Sequence, residues 1–212
     1  MPEESPMPKI ESPLQQLASY LPEGSFEDVA SYLTEFKVHL TITRERRTVL
    51  GDYRNSHSNK NHRISVNGNL NKYSFLITLL HELGHLFAYE KYGNRIPPHG
   101  EQWKSEFSKI LARFIVKKIF PPDIELSLVQ SLKNPAASSC AEDGLLRILK
   151  KYDAHKPGIY FIEELPLNSL FKVKGGKTFS KGNKVRKRFL CKEISTGKLF
   201  LFSPVAEVEL VS

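Results

Sequence analysis

The stretch YSFLITLLHELGHLFAYEKY, residues 73 to 92, places Phe75, Leu76, Leu79, Leu80, Leu83, Leu86 and Phe87 nearly all round a helix. A helix that is apolar on most sides is buried on most sides. The reading therefore predicts a central helix from about Tyr73 to Tyr92, stopped by Gly93. Set into it are His81, Glu82 and His85. Histidines four residues apart project from one face of an α-helix about a turn apart, which places two nitrogen ligands for one Zn²⁺. Glu82 directly follows the first of them, where its carboxylate can reach a water on the metal without entering the coordination sphere. That is the position of a general base.

Zinc held by three protein ligands keeps a fourth position for water and lowers that water's pKa to roughly 7. A third ligand is needed, and His99 is the candidate, because the turn through Gly93, Pro97 and Pro98 can bring it back toward the metal. Two histidines on an apolar helix are also read as satisfied core residues. Against that, each imidazole or carboxylate buried without a partner costs about 1–3 kcal/mol, and a metal compensates it. Gly84 adds a smaller signal: glycine inside a helix costs about 1 kcal/mol relative to alanine and marks close packing, such as a tight helix crossing. His39, His57, His62 and His155 lack partner spacing and read as surface or structural.

Upstream, Leu14, Leu17 and Leu21 recur at helical spacing, and Ser25 can cap a second helix with a stripe of Val29, Tyr32, Leu33 and Phe36. Val38 to Thr43 alternates at period two, and Thr48 to Tyr53 and Arg63 to Val66 share its β preference, so a small antiparallel sheet is expected. Downstream, Trp103, Phe107, Ile110, Leu111, Phe114 and Ile115 mark a helix from about Gly100 to Ile119. Two short helical pieces follow, near Ile124 to Leu132 and Glu142 to Tyr152. From Gly158 onward the pattern is short strands: Ile159 to Glu163, Leu170 to Val173, Lys187 to Ile194 and Lys198 to Phe202, with turns at Gly175-Gly176, Gly182-Asn183 and Thr196-Gly197. The expected organisation is a disordered lead-in over 1–12, a domain over 13–120, a helical connector over 121–157 and a basic all-β appendage over 158–212.

The residues HELGHLFAYEKYGNRIPPHGEQW, 81 to 103, resemble the SprT-like metallopeptidase family, to which the Spartan proteases belong. The resemblance spans roughly the strands near Val38 to the helix ending near Ile119. It implies an α+β, zincin-like domain with a buried HExxH helix, one Zn²⁺ on His81, His85 and His99, and Glu82 as the catalytic residue. The implied activity is that of a zinc metallopeptidase, an endopeptidase acting on a protein or peptide, and the Spartan enzymes suggest a DNA-associated role. Many members carry a C-terminal zinc ribbon of four cysteines. This chain has only Cys140 and Cys191, so that metal is not expected, and Cys140, His155 and Cys191 lack the close pairs of a zinc knuckle.

Composition sets the remaining bounds. Thirty-one Lys and Arg against 23 Asp and Glu give a net charge of +8, which attracts polyanions. Much of the excess lies between Lys172 and Lys198, where Lys181, Lys184, Arg186, Lys187 and Arg188 are interleaved with Phe171, Phe179 and Phe189. One reading makes these cations phosphate contacts and the phenylalanines base-stacking platforms. The other makes the lysines edge protection and the phenylalanines a core. Arg44, Arg46, Arg47 and Arg54 form a second basic cluster that could flank the substrate cleft or sit on a solvated hairpin. An acidic, proline-rich start and the absence of a long apolar run indicate neither export signal nor membrane span, and two cysteines fit a reducing, cytoplasmic setting. The alternative to a peptidase is a DNA-binding accessory protein with a structural or vestigial zinc site.

Overall fold

The computed structural model describes residues 13–46, 48–56, 61–132, 135, 140, 142–154 and 156–211. The expected lead-in over 1–12, Arg47, His57, His155 and most of the polar connector lie outside the described residues. The chain divides into two compact units, Met1–Ala141 and Glu142–Ser212. The fold is mixed α+β, with a small three-stranded sheet in the first unit and an antiparallel sheet in the second.

The first unit is built round helix α2, Lys72–Tyr92. The Asn71 side chain accepts the Ser74 N–H at 2.9 Å, closing one of the free donors at the helix start. At the other end Gly93 has φ +75° and donates to Tyr89 O, the left-handed stop that glycine adopts without strain. Between these ends Phe75, Leu76, Leu79, Leu80, Leu83 and Leu86 are all fully buried. Helix α3, Glu101–Val116, packs on one side of α2 through Trp103, Phe107 and Phe114. Gly84 permits that approach: a Cβ there would lie 3.0 Å from Phe107 Cβ and 3.2 Å from its Cα. The tight crossing read from the glycine is what the structure contains.

On the other side α2 meets strands β2, Gly51–Arg54, and β3, Arg63–Asn67, of which Ile64 and Val66 are buried. The expected all-antiparallel sheet is corrected here. The strand order is β1-β3-β2, with β1, His39–Thr43, parallel to β3 and β2 antiparallel to it. Alternation and β-branching identify strands, but pairing and direction depend on where the connections run. Ahead of the sheet stand a 3₁₀ segment, Leu14–Tyr20, and helix α1, Phe26–Glu35. Ser25 precedes α1, but its hydroxyl donates back to Pro22 O rather than capping the helix. Buried Asp28 of α1 accepts from Arg113 at 2.9 Å and from Lys117, tying α1 to α3 and the turn after it.

The expected connector is distributed over both units: helix α4, Pro122–Ser131, belongs to the first and α5, Asp143–Lys150, to the second. The second unit carries six antiparallel strands in the order β4-β9-β5-β6-β7-β8. They are β4 Ile159–Phe161, β5 Leu170–Lys172, β6 Thr178–Val185, β7 Arg188–Glu193, β8 Leu199–Phe202 and β9 Glu207–Leu210. Ile162, Leu165, Phe171, Phe179, Cys191 and Val208 form its core. The turn expected at Gly182-Asn183 is instead a bulge inside β6, and the chain reverses at Arg186-Lys187, with Arg186 at φ +54°. Gly182 is required there because a Cβ would lie 2.1 Å from Leu190 O across the bulge.

Candidate metal centre

Helix α2 presents His81 and His85, and the loop after it returns His99, so that nitrogen atoms of all three lie within 4.8 Å of one another. The Nε2 atoms of His85 and His99 are 3.1 Å apart and those of His99 and His81 are 3.3 Å apart. A tetrahedral zinc with Zn–N bonds of about 2.0–2.1 Å holds its nitrogens roughly 3.3 Å from each other. The three histidines could hold a metal ion, and among the described residues no other such group of histidine, cysteine or carboxylate ligands occurs.

Burial, reinforced by the neighbouring imidazoles, depresses His81 to a pKa of about 3 and His85 to about 4. His99 is lowered by burial. The neutral imidazole is the form that binds a metal. His81 also has a buried Nδ1 without a hydrogen-bond partner among the described residues. Fully buried Trp103 is the common wall, its ring 4.6, 5.3 and 4.7 Å from those of His81, His85 and His99.

Glu82 is buried on the same helix, facing β2. Burial first, and then the charge of Asp52, raises it to a pKa of about 8, opposed by Arg46 and by a hydrogen bond from the Tyr53 backbone N–H. A cation on the three nitrogens would favour its charged form. Space for this carboxylate comes from Gly51, since a Cβ there would lie 2.5 Å from Glu82 Oε1 and 2.8 Å from Thr78 Cγ2. Gly51→Ala is expected to displace Glu82 and, by overpacking the contact with α2, to lower stability by about 1–3 kcal/mol, as measured by denaturant unfolding. Sequence reasoning does not single out Gly51; the signal it carries is a glycine inside the β-rich run Thr48 to Tyr53, a position that can mark close approach of another group.

These groups line one cleft of about 850 Å³, bounded by residues 48 to 55 on one side and 93 to 99 on the other. Tyr53 stands in its wall with its ring parallel to that of His85, 6.3 Å between centroids. Its hydroxyl bonds His62 Nδ1 at 2.9 Å, and the Ser56 N–H donates to the same nitrogen at 3.3 Å. Nδ1 is therefore an acceptor, so the His62 proton sits on Nε2 and is donated to Glu90 at 3.2 Å. Burial, with the Tyr89 and Glu90 charges, pushes the Tyr53 phenol above its ordinary range. His62 is thus no metal ligand but part of the support of the cleft wall, while His39 is exposed.

Arg46 is a structural clamp. It donates to Asn67 Oδ1 at 2.8 Å and Ser65 Oγ at 2.9 Å, holding the loop before β2 against β3. Arg54 pairs with Asp52 at 2.9 Å on the cleft rim, and Arg44 is exposed. In the second unit Lys184, Arg186, Lys187 and Arg188 are all exposed at the β6–β7 hairpin tip. Lys181 is not among them: it is buried, donates to the carbonyls of Glu163 and Leu165, and sits over the Phe189 ring. Phe171 and Phe179 are 0% and 3% exposed, so they form core and offer no face to a base.

An α+β unit that buries a helix bearing Glu82 beside a three-histidine site defines a protein built round a candidate metal centre. The SprT-like family matches residues 14–123, just over half of the 212-residue chain, and the chain belongs to that family. No curated protein and no solved structure matches the chain significantly. No helix among the described residues is long and apolar enough to cross a membrane.

Proposed function

We propose that this protein is a zinc-dependent metallopeptidase with a zincin-like active site, cutting protein or peptide chains in the cleft above α2. The observation that carries the reading is the convergence of three neutral imidazole nitrogens, 3.1 and 3.3 Å apart, beside a buried glutamate. Membership of the SprT-like family supports it. His81, His85 and His99 would hold the ion. Bound zinc supplies a Lewis acid that polarises the scissile carbonyl and makes water a better nucleophile at neutral pH.

The remaining chemistry belongs to the chain. Glu82 accepts a proton from the attacking water and returns it to the leaving amine, so that one C–N bond breaks and a carboxylic acid and an amine result. Gly51 and the Tyr53 N–H fix the carboxylate that does this. Trp103 closes the side of the site away from solvent. Strand β2 is an edge of its sheet and lines the cleft, so an extended peptide lying along it can use the main-chain groups that β3 and Glu82 do not take.

The test is cleavage of denatured casein by zinc-loaded protein, with and without single-stranded DNA. Fragments that disappear on chelation and return with zinc are the expected result. A protein holding one zinc per chain that cuts nothing under either condition overturns the reading.

A further inference from the structure

Strand β8 ends the six-stranded sheet, with no strand on its far side among the described residues. It is Leu199-Phe200-Leu201-Phe202, four apolar residues in succession. Leu199 is 62% exposed, Leu201 53% and Phe200 39%. Edge strands are ordinarily blunted by lysine, proline, a bulge or a covering element. The residues of β8 include neither lysine nor proline, and the bulge lies two strands away in β6.

The direction of the backbone groups follows from the register. Glu193 N–H donates to Lys198 O at 2.8 Å, while Cys191 stands opposite Phe200 and Phe189 opposite Phe202. Antiparallel pairs alternate between bonded and non-bonded positions. Residues 198, 200 and 202 therefore direct their N–H and C=O groups at β7, and Leu199 and Leu201 direct theirs outward. Side chains alternate too. Phe200 and Phe202 lie against the core ring of Phe179 at 5.5 and 5.0 Å. Leu199 and Leu201 share the opposite face with Leu190, Arg188 and Lys192, and neither strand carries an acid on that face.

We propose that β8 is the docking edge for an extended segment of a partner protein in which apolar and acidic residues alternate, added as a seventh strand. Main-chain bonds to Leu199 and Leu201 would supply affinity, Arg188 and Lys192 on the leucine face would select acidic side chains, and half-exposed Phe200 on the opposite face would select the apolar ones that alternate with them. A single-stranded nucleic acid fits less well, because stacking successive bases needs a run of exposed rings, and on this edge Phe200 is exposed while Phe171 and Phe179 are in the core. A second copy of the chain is opposed by charge: from Glu142 to Ser212 there are 14 Lys and Arg against eight Asp and Glu.

The experiment is fluorescence anisotropy on the full chain with three labelled probes: an eight-residue peptide alternating valine and glutamate, the same peptide with lysine for glutamate, and an eight-nucleotide oligothymidylate. The glutamate peptide should bind, weaken with salt, and outcompete both others. Leu201→Pro, which removes an outward N–H that β7 does not use, and Leu201→Glu should each weaken it about tenfold or more. Lys192→Glu, a surface change that leaves the apolar edge intact, should weaken it and flatten the salt dependence, so the test survives misfolding of either Leu201 variant. Equal binding of the two peptides, indifference to all three variants, preference for the oligothymidylate, or self-association in sedimentation that Leu201→Glu abolishes would each overturn the proposal.

Discussion

Glu82→Gln is expected to lower turnover by about 10³-fold while leaving one zinc per chain. The amide is nearly isosteric with the carboxylate, so the pocket beside Gly51 is not opened and the imidazoles are not disturbed. On the proposed mechanism, what disappears is the group that would accept and return a proton, a contribution of roughly 10²–10⁴-fold. Single-turnover proteolysis with elemental analysis of the same sample measures both quantities. A variant that cuts as fast as wild type would remove Glu82 from the chemistry. A variant that also keeps its full role in cells would point to the accessory-protein reading.

The second large effect is expected from His99→Ala. His99 is the one candidate ligand that comes from a loop, and its ring lies against Trp103 as well as against His81 and His85. Its loss leaves two nitrogens on α2, too few for a stable site. Zinc content should fall from one per chain to near zero after dialysis against a weak chelator. Thermal stability should separate the two proteins as well. At free zinc about 100-fold above Kd, a ligand that binds only the native state stabilises by roughly 2.7 kcal/mol, which corresponds to about 5 to 10 °C in Tm. Wild type should show that rise on adding zinc and His99→Ala should not. An equal rise in both would place the metal elsewhere.

The contrast between α2 and the sheet beside it shows what local pattern can carry. The helix was legible because its signals are all within one segment: apolar residues round the full circumference, histidines at a four-residue spacing, and glycine at the end. The existence of β1, β2 and β3 was legible for the same reason. Their order was not, since an antiparallel hairpin and a β1-β3-β2 arrangement require the same alternation. In the second unit β6 and β9 lie outside the strands that the pattern predicts, and Gly182, expected in a turn, serves a bulge. A glycine in sequence announces an unusual backbone or a close neighbour without saying which.

By itself the sequence determined the buried helix, the chemistry of His81, Glu82, His85 and His99 as a possible set, and the concentration of positive charge toward the C-terminus. It is the fold that brings three nitrogens within 4.8 Å, makes room for Glu82 at Gly51, and sets Tyr53 and His62 in the cleft wall. It also turns Lys181 inward and places Phe171 and Phe179 in the core, with Phe189 partly buried against it. The physical reason is range. Helical periodicity and spacing act over a few bonds of chain and are written in consecutive residues, whereas cavity shape, burial and hydrogen-bond partners arise between segments whose separation in sequence carries no record of their distance in space.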